Sequence, residues 1–150
     1  MLMQALSPQN IRIKFRSNSK TQIAKELLQK HYQGKQLKIL MEKIDSAEDP
    51  LAESPGKGIV IYSILLPGAP QIQVFLGVHK EGLDAESYDG EPLKIFVVVI
   101  TPSKNREYID TLAYILRLLR QDSVRHKMLQ AKTPEELYQI LLEEHREVEE

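Results

Sequence analysis

Histidine is the residue type in this sequence best suited to carry chemistry, because its imidazole titrates near neutral pH and serves as acid, base or metal ligand. The chain of 150 residues holds four of them and no cysteine. The lack of cysteine excludes disulfides, thiolate catalysis and cysteine-bound zinc or iron–sulfur clusters. No two histidines have the i, i+4 spacing of a helical zinc site, so we expect neither a metal nor another cofactor. The four are His31, His79, His126 and His145.

The general catalytic and ligand-binding motifs are incomplete. Gly56-Lys57-Gly58 begins like a dinucleotide fingerprint, but Ile61 stands where the third glycine belongs. Ser63 lies between Ile61 and Leu65 and not between the glycines of a nucleophile elbow. The acidic residues of segment 81–91 lack the spacing of a calcium loop, and we expect them to be solvated.

Composition and charge exclude further classes of function. With 20 Lys and Arg against 21 Asp and Glu, the net charge of −1 does not suggest a nucleic-acid binder. No apolar run approaches the ~20 residues of a membrane helix, so we expect no membrane insertion. Residues 1–45 hold nine basic and three acidic residues (9 − 3 = +6), and the remainder holds eleven and eighteen (11 − 18 = −7). This division indicates either two differently solvated faces or a basic surface that meets an acidic partner.

The hydrophobic pattern predicts an α/β fold in a single domain, residues 1–150. A short strand over Ile11–Phe15 precedes a helix capped by Ser19 and ended by Gly34, and then a second helix over 37–44. Three strands follow, at 59–66, 71–78 and 93–100, with loops at 45–58 and 81–91. Since the first and last of these three are almost fully apolar, we expect a central mixed sheet with helices on both faces.

The last third of the chain is predicted to be helical. A broad apolar face runs from about Asn105 to Arg120, and a short helix follows from Asp122 to Leu129. Thr133-Pro134-Glu135-Glu136 combines an N-cap threonine, a proline in the first turn and a glutamate that closes a capping box. The final helix therefore begins at this segment.

Several segments taken in order resemble the type-2 enzyme IIA domain of the sugar phosphotransferase system, in its fructose, mannitol and nitrogen-regulatory branch. They are the segment Leu6 to Ile11 that leads into the first strand, the helix start Ser19 to Leu27, the strand Gly58 to Ile61, the segment Asp89 to Phe96 that leads into a strand, and the helix start Lys132 to Leu137. No one segment is specific, but their order and spacing match from Leu6 to about Leu142. The resemblance implies an enzyme-IIA-like fold.

The site of the family is altered in this sequence. In the family, the strand that begins here at Gly58 ends on a histidine that accepts a phosphoryl group from a carrier protein, and a second histidine opens the long helix. The resemblance places Ser63 at the first position, after Tyr62 in place of a proline, and Tyr108 at the second. It therefore implies a degenerate domain that has lost phosphoryl transfer and is not an enzyme.

Two other uses of this region remain open. His79, at the end of a strand predicted to neighbour that of Ser63, could act as a substitute phosphoryl acceptor. Alternatively Tyr62, Ser63 and Tyr108 could line a pocket for a small polar ligand or a partner side chain, or could fill the vacated site. The remaining histidines, His31, His126 and His145, are predicted to be surface residues.

The leading hypothesis is a regulatory or interaction module that contacts a protein partner. The resemblance extends to regulatory domains appended to bacterial transporters, including cation:proton antiporters, so the partner could be a transporter or a regulator. The chain could be a fragment of such a transporter or a free-standing subunit, and could form a homodimer. Either way the domain itself would lie in the cytoplasm, associated with the membrane only through a transporter.

Overall fold

The computed structural model describes residues 2–46, 56–84 and 89–149. Residues 47–55, which include most of the predicted loop at 45–58, and residues 85–88 of the acidic segment lie outside the described residues. The strands are β1 (Ile11–Arg12), β2 (Ile59–Leu65), β3 (Gln73–Leu83) and β4 (Leu93–Thr101). The helices are α1 (Leu2–Ala5), α2 (Lys20–Leu28), α3 (Gly34–Asp45), α4 (Arg106–Leu119), α5 (Asp122–Gln130) and α6 (Pro134–Glu149).

The four strands form one mixed sheet in the order β1-β3-β4-β2. β1 runs parallel to β3 and β2 runs parallel to β4, whereas β3 and β4 are antiparallel. β1 and β2 are thus the opposite edges of the sheet, and β3 and β4 are its centre. The predicted mixed sheet with helices on both faces is confirmed.

Alternation along the strands divides the core into two layers. One face of the sheet packs on residues of α1, α4, α5 and α6, and includes Ile61, Val74 and Val97. The other face packs on α2 and α3, and includes Val60, Tyr62 and Phe75. Successive residues of β2 therefore point to different layers, which decides where each candidate site residue lies.

Local packing explains where the predicted boundaries are wrong. β1 ends at Arg12 rather than Phe15. The chain leaves the sheet there, because the backbone N–H groups of Arg16 and Ser17 donate to the buried Glu26 carboxylate instead of to a neighbouring strand. The first predicted helix ends at Leu28 rather than Gly34, because Tyr32 packs against Phe75 and donates to Gln73 on β3.

Two further differences concern segments with weak local signals. β3 continues to Leu83 past a bulge, where Leu83 pairs with Leu93 and carries the strand into the predicted acidic loop. The short helix α1, which no periodicity predicted, is held by burial of Leu2 against the apolar core.

Candidate functional site

Ser63 and Tyr108 lie in direct contact although 45 residues separate them. Ser63 is near the end of β2, where it pairs with Val99 of the neighbouring parallel strand. Tyr108 is in the first turn of α4, and its backbone N–H donates to the side chain of Asn105, the N-cap residue. The Ser63 Oγ and the Tyr108 hydroxyl oxygen are 2.5 Å apart and share a hydrogen bond.

The pair lies partly at the surface. Tyr108 is 7% exposed, and Ser63 is half-buried. Leu65 lies two residues beyond Ser63 on the same face of β2 and is 39% exposed, while Ile109 follows Tyr108 in α4 and is 54% exposed. Single exposed apolar side chains are common on protein surfaces, so the exposure of Leu65 and Ile109 does not by itself mark a contact surface.

Tyr62 does not belong to this site. It is 4% exposed and packs in the layer of α2 and α3, on the opposite face of the sheet from Ser63 and Tyr108. Burial, together with the negative charge of Asp45, raises the pKa of the Tyr62 phenol to about 12. The prediction of one pocket lined by Tyr62, Ser63 and Tyr108 is therefore wrong for Tyr62, because neighbouring strand residues face opposite ways.

His79 also lies away from the pair. Its strand β3 is separated from β2 by β4, so the predicted neighbouring position is wrong. Val74 and Ser63 both pair with Val99, and His79 is five residues further along β3. At ~3.3 Å per residue and ~4.8 Å between strands, this puts the histidine about 17 Å along the sheet and about 10 Å across it.

The His79 ring stacks on Phe15 with 6.3 Å between the ring centroids. Its Nδ1 atom is buried and has no hydrogen-bond partner among the described residues. The imidazole thus lies far from either hydroxyl of the Ser63–Tyr108 pair.

Two of the other three histidines are exposed, as predicted. His31 Nε2 lies 2.9 Å from the carbonyl oxygen of Gln9, and His126 contacts Gln130 on its own helix. The prediction for His145 is wrong, because the residue is half-buried and its Nδ1 lies 2.8 Å from the Tyr114 hydroxyl. This contact joins α6 to α4.

The chemistry available at the Ser63–Tyr108 pair is limited. Each hydroxyl already has the other as a hydrogen-bond partner, and none of the four histidines contacts them in the described structure. A serine needs an adjacent base to become a nucleophile. In the described part of the chain, no group of three His, Asp or Glu side chains could hold a metal ion.

Sequence reasoning missed the exposure of Leu65 and Ile109. Leu65 closes an apolar strand and Ile109 lies in the apolar pattern of α4, so both were expected in the core. No sequence signal distinguishes them, since periodicity gives the face of an element but not whether a neighbour covers its end.

Residues 4–144 match the sequence pattern of the family described as "Phosphoenolpyruvate-dependent sugar phosphotransferase system, EIIA 2". The chain belongs to this family. The match covers nearly the whole chain and confirms the family expected from the sequence.

Individual relatives agree with this assignment. The chain is 25% identical over 139 residues to the "Nitrogen regulatory protein" of Bradyrhizobium diazoefficiens, which covers 91% of each chain. It is 26% identical over 101 residues to the "PTS system fructose-specific EIIABC component" of Bacillus subtilis, which covers 67% of this chain but only 16% of that protein. The chain therefore matches only a small part of the length of the Bacillus protein.

Among solved structures, the nitrogen regulatory protein IIA-Ntr of Neisseria meningitidis superposes with a TM-score of 0.79 at 19% identity, over 93% of this chain and 97% of that one. This likeness shows a shared fold. Within the described residues, no helix has both the length and the apolar character needed to span a membrane.

Proposed function

We propose that this chain is a regulatory interaction module of the EIIA type-2 family in which phosphoryl transfer has been lost. The proposal depends mainly on the 2.5 Å contact between the hydroxyl oxygens of Ser63 and Tyr108. The resemblance assigned these two residues to the positions of the phosphoryl-accepting histidine and its partner histidine. Their contact across β2 and α4 supports that assignment, because a phosphoryl site needs both positions in one place.

The residue types at these positions account for the loss. A phosphohistidine is a high-energy linkage that passes its phosphoryl group on, whereas a serine phosphate is a stable ester and a poor donor. The Ser63 hydroxyl is also bonded to Tyr108 and has no imidazole beside it to take its proton. Distance weighs against His79 as a substitute, since it lies two strands away from Ser63 and five residues along β3 from Val74.

The output of the module is a contact with another protein. Leu65, two residues after Ser63, and Ile109, next to Tyr108 in the chain, are exposed, and on this proposal they contribute apolar area to that contact. Relatives named as nitrogen regulatory proteins support a regulatory role, and the match to a small part of a fructose EIIABC component supports attachment to a transporter. On this proposal the domain acts in the cytoplasm on a transporter, for which a cation:proton antiporter is the example we favour.

A transfer assay tests the proposal. The chain is incubated with labelled phosphoenolpyruvate, the first enzyme of the system and the carrier protein, and a family member that retains both histidines serves as positive control. We expect label on the control and none on this chain. Acid-labile label on this chain would overturn the proposal, and its loss in His79→Ala but not in the exposed control His126→Ala would assign the carrier role to His79.

A further inference from the structure

A second surface, with two clefts, lies along the other edge of the sheet. Two adjoining clefts of about 440 and 420 Å³ follow the edge strand β1 and the extended chain after it. They share Ile13, Lys14 and Lys132 in their walls and therefore adjoin each other, and we call the two clefts together the β1 groove. Because β1 and β2 are opposite edges, the β1 groove is distinct from the Ser63–Tyr108 site.

The β1 groove concentrates lysines that lie far apart in the sequence. Four exposed lysines, from the segment after β1, from the turn after α2, from β3 and from the turn before α6, line its walls. None of the four side chains forms an ion pair with any described residue. They are Lys14, Lys30, Lys80 and Lys132.

The acidic residues of the walls do not neutralise this charge. Glu26 is buried and holds the Arg12 guanidinium at 3.1 Å, so these two charges cancel each other. Glu81 and Glu135 are exposed and leave a balance of four lysines against two glutamates (4 − 2 = +2). Part of the basic excess of residues 1–45 is thus gathered in the β1 groove.

The wall of the β1 groove is also fixed in shape. The Glu26 carboxylate accepts the N–H groups of Arg16 at 3.1 Å and Ser17 at 2.9 Å, and so anchors the far end of the extended segment that holds Lys14. Apolar surface from Ile13 and Phe15 lies along the same segment. A segment that is already anchored needs little ordering when a partner binds.

We propose that the β1 groove binds an acidic, extended segment of a partner protein. Charge complementarity selects the occupant, because unpaired lysines are flexible point charges that pair with carboxylates at varied spacing. Lysines together with Ile13 and Phe15 in the walls of the two clefts suit a peptide that alternates carboxylate and aliphatic side chains. This contact does not depend on whether phosphoryl transfer is lost, so it adds a second docking surface to the module.

Fluorescence anisotropy tests the proposal with a labelled peptide in which glutamate alternates with leucine and serine, at low ionic strength. We compare the double reversal Lys14→Glu/Lys132→Glu with the matched control Lys35→Glu/Lys38→Glu, which changes the net charge equally at exposed positions of α3. Circular dichroism and thermal unfolding verify that both variants fold. We expect the groove variant to bind about tenfold more weakly or worse, and the control to change less than about threefold, as like-charge contacts cost more than distant charges.

Four results would overturn the proposal. Equal losses in the two variants would show a general charge effect. Equal binding of a peptide with glutamine in place of glutamate would remove the role of the carboxylates. Displacement of the peptide by inorganic phosphate or a single-stranded oligonucleotide at the same charge concentration would show a general anion site. If light scattering showed that the wild type is a dimer and that Lys14→Glu/Lys132→Glu is a monomer, the occupant of the β1 groove would be a second copy of this chain.

Discussion

Replacing Tyr108 by phenylalanine keeps the aromatic ring in the core and removes only the hydroxyl that contacts Ser63 at 2.5 Å. A hydrogen bond of this kind contributes about 0.5 to 1.5 kcal/mol to the free energy of unfolding, and Ser63 is half-buried, so we expect a loss of about 1 kcal/mol. For a domain of this length, that is about 2 to 4 °C in Tm. Tyr138→Phe is the matched control, because its hydroxyl reaches only a backbone oxygen at 3.5 Å and its loss should change stability less.

A double-mutant cycle with Ser63→Ala isolates the pair. Urea unfolding followed by circular dichroism gives the free energy of unfolding for the wild type, both single variants and the double variant. We expect the two substitutions to be non-additive by about 0.5 to 1 kcal/mol, because the second removes an interaction that the first has already broken. Additivity within about 0.3 kcal/mol, or an equal effect of Tyr138→Phe, would refute the contact on which the site depends.

Three further predictions follow from buried or strained groups. Tyr62 should titrate near 12 by ultraviolet absorbance, and Asp45→Asn should lower that pKa. Because the folded pKa lies above the unfolded value of 10.0, the contribution of Tyr62 to stability should be complete below pH 10 and should be lost between pH 10 and 12, by about 2 to 3 kcal/mol at most. Glu26→Gln should lower the free energy of unfolding by about 2 to 3 kcal/mol near pH 7, measured by urea unfolding. Burial raises the Glu26 pKa, but hydrogen bonds from Ser17 and Arg16 and the Arg12 charge together hold it below 4.5. The difference from wild type should therefore shrink as the pH falls through the folded pKa, and a difference that stays constant with pH would contradict this. Lys57→Gly should stabilise the chain by about 0.5 kcal/mol, because Lys57 has a φ of 61° that glycine adopts more easily. Gly58→Ala should destabilise the chain, because the new Cβ would lie 2.5 Å from the Pro92 carbonyl oxygen. Changes in Tm of the same sign for the two variants would contradict the backbone geometry.

Local signals in the sequence predicted local structure well. The cap at Ser19 accepts the N–H of Gln22, and the Thr133 hydroxyl accepts the N–H of Glu136, as the two capping patterns indicate. Both depend on residues three positions apart. The extension of β3 to Leu83 depends instead on pairing with a strand ten residues later, which local propensity does not contain.

The candidate site was predictable only in part. That Tyr62 and Ser63 face opposite layers follows from the alternation of side chains along a strand, and the sequence contained this information. The contact between Ser63 and Tyr108 did not follow from spacing and was implied only by the family resemblance. The place of His79 needed the strand order, which hydrophobic pattern alone does not determine.

The central claim is that the chain receives no phosphoryl group, and phosphorus-31 NMR tests it most directly. The unlabelled wild-type chain is mixed with phosphoenolpyruvate, the first enzyme and the carrier protein, and the spectrum is compared with that of the same mixture without the chain. We predict identical sets of resonances in the two spectra. An additional resonance that appears only with this chain, whether an acid-labile phosphohistidine or an acid-stable phosphoserine, would contradict the account.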